Sequence, residues 1–406
     1  MTDSAIVSAG SGRQPGVAQG LTIVLTGFLP IIAIVSMFPA VPAMIAHFAD
    51  DPSALTKVPA MVSAPGLTVA ILALFAGLMV DRFGRRKLLL ASTALYGFVG
   101  LMPMFLDDLD QIYASRLLLG VAEAAILTTV NTLIGDYWNE AGRRRWLTLQ
   151  GVLGPFFGSA VIFTSGYLAA ISWNAVFLIY AVGFAVFAAM LAFIYEPEND
   201  ETARKMLGIG ASASTPFPWA GVLLFGTVTL LGGILYYVFI INGGMVWKEL
   251  GVSDPAEIGR LTTIPSMFVI VGAVIFWATT RFGPRVQLAV FLLLLGSGLG
   301  VIGMATDWKG MVAGMALQQT GAGMAVPTLI AWAQSYLPFE HRGRGMGVWT
   351  SAFFLGQFAS PLLVSLARTI SGTMQGAFVI AGAIGMAVAL ITWFIVTPQQ
   401  PEPGQA

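Results

Sequence analysis

The chain has no cysteine and only two histidines, His47 and His341, among 406 residues. Disulfides and thiolate metal sites are therefore excluded, and two imidazoles are too few for the usual histidine metal clusters. Charge is also scarce. Asp, Glu, Lys and Arg make up 10% of the chain, against about 25% in a soluble globular protein, and so few ionisable groups do not cover a water-facing surface. Twenty basic and twenty acidic residues cancel, so the basic surplus that a nucleic-acid binder needs is missing. No catalytic set, metal motif or nucleotide motif stands out, so neither an enzyme nor a cofactor is expected. Apolar residues are plentiful: 57% of the chain is hydrophobic and the mean hydropathy is +0.82. The composition is that of an all-α integral membrane protein.

A helix crosses the hydrocarbon layer with about 20 apolar residues. Apolar stretches bounded by charges, turns or polar clusters fall at 21–40, 58–80, 87–106, 111–135, 146–169, 173–195, 218–241, 257–279, 286–305, 309–335, 344–367 and 372–396, which makes twelve spans. Residues 196–217 hold Glu196, Glu198, Asp200, Glu201, Arg204 and Lys205 with a Ser/Gly/Pro run. They read as a linker between a bundle at 21–195 and a second at 218–396, with tails at 1–20 and 397–406. The leader has a single basic residue, Arg13, and the first apolar stretch is longer than a signal-peptide core, so it is expected to remain as a span.

If twelve spans alternate, fourteen of the twenty basic residues fall on one side, including Arg82 to Lys87, Arg143 to Arg145, Arg281, Arg285, Arg342 and Arg344. Asp50, Asp51, Asp107, Asp108, Asp110, Asp254 and Asp307 fall on the other. Basic loops mark the cytoplasmic side. Both tails and the linker are thus expected in the cytoplasm of a bacterial inner membrane protein.

The halves align at one offset. Arg82-Phe83-Gly84 recurs 199 residues later as Arg281-Phe282-Gly283, and Tyr137, Arg143 and Arg145 recur as Tyr336, Arg342 and Arg344. Parallel repeats about an axis along the membrane normal are a transporter architecture, with the substrate near the midplane between them. The run from Gly77 through Asp81, Arg82, Gly84, Arg85 and Arg86 to Lys87 resembles the loop 2–3 signature of the major facilitator superfamily. Arg116 and Gly120 resemble its Arg-xxx-Gly element on span 4. The second-half copy is degraded, with Thr280 for the acid and Pro284 for a basic residue. The resemblance implies twelve transmembrane helices in two pseudo-symmetric six-helix bundles, acting as a monomer. It also implies a latch in which Asp136 pairs with Arg85. Setting topology alone is the other role open to these charges.

One acid lies deep in a span: Glu123 on span 4. A carboxylate at the bilayer centre costs about 2.5–3.5 kcal/mol on insertion scales, so it marks function by default. Arg116, seven residues earlier, shares its helix face but stands about 10 Å away along the axis. Burial favours a protonated carboxyl and a nearby guanidinium favours the ionised one. A change in the Arg116–Glu123 distance would then bind or release a proton, the minimum device for drawing on a proton gradient; a fixed structural pair is the alternative. Gly151, Gly154, Pro155 and Gly158 on span 5 resemble the hinge element of proton antiporters, with altered spacing and Ser159 for the last glycine. Span 1 lacks the acid that many multidrug antiporters carry. The run Arg116 to Ala124 is also similar to span 4 of spinster-type lysolipid and sphingolipid transporters.

In that superfamily helices 1, 4, 7 and 10 line the cavity. Thr128, Asn131, Tyr236, Tyr237, Asn242, Gln318, Gln319, Trp332 and, on span 11, Gln357 are the polar and aromatic candidates. Gly243-Gly244 is expected to open span 7, and Trp247 to join an interfacial belt. Such a cavity suits a small amphipathic, weakly charged or lipid-like substrate exported in exchange for protons; uptake of an organic acid with protons is the other direction open. A membrane sensor without transport would leave the repeat and the embedded acid unexplained.

Overall fold

A computed structural model describes residues 15–75, 82–197, 216–338 and 341–396, with the side chain of Glu140 excepted. Gly77 and Asp81 of the loop signature, most of the linker, most of the N-terminal tail and all of the C-terminal tail lie outside the described residues.

Twelve spanning helices follow one another: α1 Val17–Val35, α2 Ala54–Ala73, α3 Arg85–Leu101, α4 Leu109–Tyr137, α5 Glu140–Ile171 and α6 Ala175–Phe193 in the first half. The second half has α7 Trp219–Glu249, α8 at 255–279, α9 Gly283–Gly303, α10 Trp308–Ser335, α11 Arg342–Ser371 and α12 Met374–Ile395. Among the described residues ten stretches are long and apolar enough to cross a membrane. One of these, Pro255–Gly303, contains both α8 and α9, and α10 is long enough but diluted by glycine and glutamine. The protein is a multi-pass membrane protein.

Polar caps open α4 and α10 at the same face. Asp108 accepts from the Gln111 N–H before α4, and Asp307 accepts from the Gly310 N–H before α10. These caps satisfy donors that a helix start leaves open. They are also 199 residues apart, a third match at the repeat offset that sequence reading missed. Gly84 and Gly283 share a second device: φ is 75° at one and 78° at the other, each opening the helix that follows. Only glycine adopts that backbone without strain. In each copy the arginine guanidinium lies over the phenylalanine ring, Arg82 on Phe83 and Arg281 on Phe282.

Between α1 and α2 lies a short helix, Val41–His47. Two expectations are corrected. Helix α7 runs unbroken to Glu249, through Asn242, Gly243 and Gly244. The glycine pair is a contact surface, because a Cβ at Gly244 would lie 2.5 Å from the Phe38 carbonyl oxygen. Trp247, expected at the interface, is fully buried and donates to Thr262 Oγ1.

The halves meet along α2–α11 and α5–α8. At the second seam Gly166 and Gly259 bring backbones together: a Cβ on Gly166 would sit 2.7 Å from Pro255 O. Small residues allow this approach inside bilayers. Phe38 and Pro42 against Gly243 and Gly244 close the face away from the chain ends. Along the second seam α5 and α8 part toward the other face, with open space at Gly151 and Val274 and Trp277 exposed, while α2 and α11 stay together, a Cβ at Gly347 lying 3.3 Å from Ala73 O. Helix α5 passes through Pro155 without interruption, and Gly154 and Gly158 face Phe28 and Ile31 of α1.

Candidate functional site

The centre of the first half is built on freed backbone carbonyls. Pro103 has no N–H, so the Val99 carbonyl at the end of α3 lacks its i+4 donor. It keeps the tighter bond from Met102 N–H and accepts a long contact from Arg116 Nη2 at 3.5 Å. Arg116 Nη2 also donates to Gly100 O at 3.2 Å, and Nη1 donates to the Tyr180 hydroxyl at 2.9 Å. The Phe177 ring lies 5.0 Å from the guanidinium carbon, close enough for a cation–π contact. Gly100 makes room for this arrangement, since a Cβ there would fall 2.5 Å from the Tyr180 ring.

Two phenols extend the network to α1. Tyr180 on α6 donates to Ala33 O at 3.1 Å, and Tyr96 on α3 donates to Leu29 O at 2.7 Å. Helix α1 is irregular here, broken at Phe28 before Pro30 and ending at Val35. Buried carbonyls need partners in a bilayer, and the tyrosines supply them. Neither phenol was among the sequence candidates. A tyrosine in the middle of the apolar run of each of two peripheral spans was the available signal.

Glu123 lies two turns along α4 from Arg116 and is 2% exposed. Its Oε1 has no hydrogen-bond partner. It sits within electrostatic range of Arg116, Tyr96 and Tyr180 in its own half and of Tyr237 in the other half. Arg116 does not form an ion pair with it. The expected pair is therefore two separate devices, an arginine that joins α3, α4 and α6, and a lone acid at the centre.

The loop 2–3 residues form a second cluster. Arg85 is buried and its Nε donates to Asp136 Oδ2 at 3.0 Å. Glu196, just past α6, accepts from the Arg85 and Arg86 backbone N–H groups at 2.7 and 2.8 Å. Arg86 Nε donates to Ile194 O. An acid at a helix N-terminus satisfies its open donors and its dipole. All these contacts stay within the first half, joining α3, α4 and the end of α6.

The cavity candidates divide. Tyr236 and Tyr237 on α7 pack with Phe353 on α11, ring centroids 5.5 and 5.4 Å away. Gln357 packs on Gly66 at the α2–α11 seam. Asn242 is buried and donates to Val238 O; Thr128 donates to Ala124 O, and the exposed Asn131 donates to Leu127 O. Gln319 is buried. Gln318 is fully buried, its Cβ against Gly298 of α9 and its side-chain amide without a hydrogen-bond partner, and Trp332 is fully buried against Tyr336. The α10 face that meets α9 is decided by where glycines admit close packing.

Two six-helix halves that meet along two seams, with Glu123 the one buried acid among the described residues, have the architecture of a membrane transporter. The chain belongs to the Major Facilitator Superfamily, which it matches over residues 23–248 and 223–406. It is 22% identical over 401 residues to a 4-hydroxybenzoate transporter of Pseudomonas aeruginosa, covering 86% of each chain. It is 25% identical to a class C tetracycline resistance protein of Escherichia coli, covering 89% of this chain and 93% of that one. Among solved structures, a POT family transporter in complex with 5-aminolevulinic acid superimposes with a TM-score of 0.70 at 14% identity, covering 93% and 97%. A human organic anion transporter gives 0.67 at 16%, covering 94% and 99%. The protein is a transporter and not an enzyme.

Proposed function

We propose that the chain is a proton-coupled secondary transporter of a small amphipathic or weakly charged organic molecule, working by rocker-switch alternating access. Glu123 carries the proton. The supporting observation is its position: a buried acid with an unsatisfied oxygen, in a chain with no other acid deep in a span. It stands within electrostatic range of Tyr237 of the other half, so motion between the halves changes its surroundings. Protonation and the position of the halves are then linked, because a shifted proton affinity is a free-energy difference between states.

Arg116 acts as a positioning residue in this scheme, fixing α4 against α3 and α6. The spinster-like reading, with a lysolipid as substrate, relies on Arg116 and Glu123 working as a pair, and Arg116 is committed elsewhere. Export by proton antiport is the proposed direction, supported by the glycines and proline of α5 and by the tetracycline resistance relative. Uptake of an organic acid with protons is the second reading, favoured by the 4-hydroxybenzoate transporter. The distribution of basic residues supports a bacterial inner membrane location with both termini cytoplasmic. The test is proton movement in proteoliposomes carrying a pH dye when aromatic acids or amphipathic drugs are added outside. Substrate entry with proton exit supports antiport, and entry of both supports symport. Substrate movement with no proton movement contradicts the proposal.

A further inference from the structure

A groove of about 550 Å³ opens between the starts of α1 and α5. It is far from Glu123 in the fold and plays no part in the scheme above. Its walls include Val17 and Leu21 on α1, and Arg145, Trp146 and Val152 on α5, with Trp138 at the corner between α4 and α5. Trp146 closes over α1 so tightly that a Cβ on Gly20 would overlap its ring, and Trp138 lies 5.3 Å from Trp146 between centroids. Val17, Leu21 and Val152 are exposed although apolar, as side chains facing acyl chains are. Paired tryptophans at a helix end mark the level where hydrocarbon meets headgroups.

Charge completes the site. Arg145 lines the groove and Arg143 stands two residues away, both exposed and neither in an ion pair among the described residues. A groove that is apolar on one side, aromatic at the rim and cationic at its mouth matches one component of a bilayer. We infer that it binds an anionic phospholipid, with the headgroup phosphate on Arg145 and the upper acyl chain along Val17, Leu21 and Val152. Basic pockets between membrane helices hold anionic headgroups by this combination, and the volume falls within the range of small-ligand sites. A lipid seated there ties the start of α1 to the start of α5, on the side where α5 parts from α8.

The test is thermal unfolding of the purified full-length chain in detergent with added phosphatidylglycerol, phosphatidylcholine or inorganic phosphate. Phosphatidylglycerol is expected to raise the midpoint by several degrees more than the other two. R145Q removes that difference while leaving the phosphatidylcholine midpoint at the wild-type value, because the residue is exposed. R145K retains most of the difference, and R260Q, which removes an exposed arginine on α8, retains all of it. Equal stabilisation by phosphatidylcholine overturns the inference, as does a phosphatidylglycerol effect that survives R145Q or falls equally in R260Q. The same shift with phosphate alone reduces the site to an anion site without a lipid. If lipid selectivity emerges only after residues 2–14 are deleted, the groove belongs to the chain's own start and the inference fails.

Discussion

Arg116 and Glu123 in the first half stand where the second half has Met315 and Ala322, at the offset of 199 that relates the two Arg-Phe-Gly turns. Met315 and Ala322 are buried too. Tyr96 corresponds to Leu295, Tyr180 to Val379, Arg85 to Pro284 and Asp136 to Ser335. The frame is shared: Gly84 and Gly283 turn alike, and Asp108 and Asp307 cap alike. The interior differs. Duplicated turns and caps keep the helices in register, while the buried arginine, the buried acid and the two phenols that bond to Arg116 and α1 carbonyls, Tyr180 and Tyr96, belong to one half. The other half contributes aromatic and close-packed surface, notably Tyr236, Tyr237 and Phe353. An ionisable group is expensive in hydrocarbon, so a single acid moving against an apolar partner half is a cheaper device than one in each.

The largest effect is expected from moving the acid between halves. The double variant E123A/A322E keeps one central carboxyl but places it among the α10 neighbours of Ala322. It should transport against a gradient at background level; full gradient-driven uptake or export in vesicles would show that the two halves are interchangeable. Next, R116M copies the second-half residue into the first. It leaves Gly100 O and the Tyr180 hydroxyl without a charged donor, and hydrogen bonds to charged groups contribute about 1.5–3 kcal/mol each. Thermal unfolding should show a loss of about 3 kcal/mol, whereas M315L should cost less than about 1.5 kcal/mol.

G100A is a smaller perturbation. The added methyl meets the Tyr180 ring, and overpacking of this kind costs about 1–3 kcal/mol. The smallest pair tests the shared frame. G84A and G283A each force a side chain into a backbone region that costs about 1–3 kcal/mol. G84A should lose more, because Glu196 stands 3.1 Å from the new Cβ and open space surrounds Gly283. Equal losses in unfolding midpoint would mean that the Glu196 cap carries no weight.

The spans were readable because long apolar runs bounded by charge have few alternatives, and most helix limits fall within a few residues of the sequence expectation. The Arg85–Asp136 contact was readable because a family signature carries it. The partners of Arg116 were not, since they are carbonyls freed by Pro103 and a phenol 64 residues away in the chain. Asn242-Gly243-Gly244 read as a break on local propensity, whereas packing against Phe38 holds it helical. The contact of Gln318 with α9 was not readable either, because it is set by the close approach that Gly298 allows.

The most direct test of the central claim is E123Q in proteoliposomes, with the same substrate measured in gradient-driven transport and in counterflow exchange. The variant should lose accumulation against a gradient, and lose its dependence on an imposed pH difference, while exchange continues. Accumulation at the wild-type level under the same pH difference would contradict the assignment of the proton to Glu123.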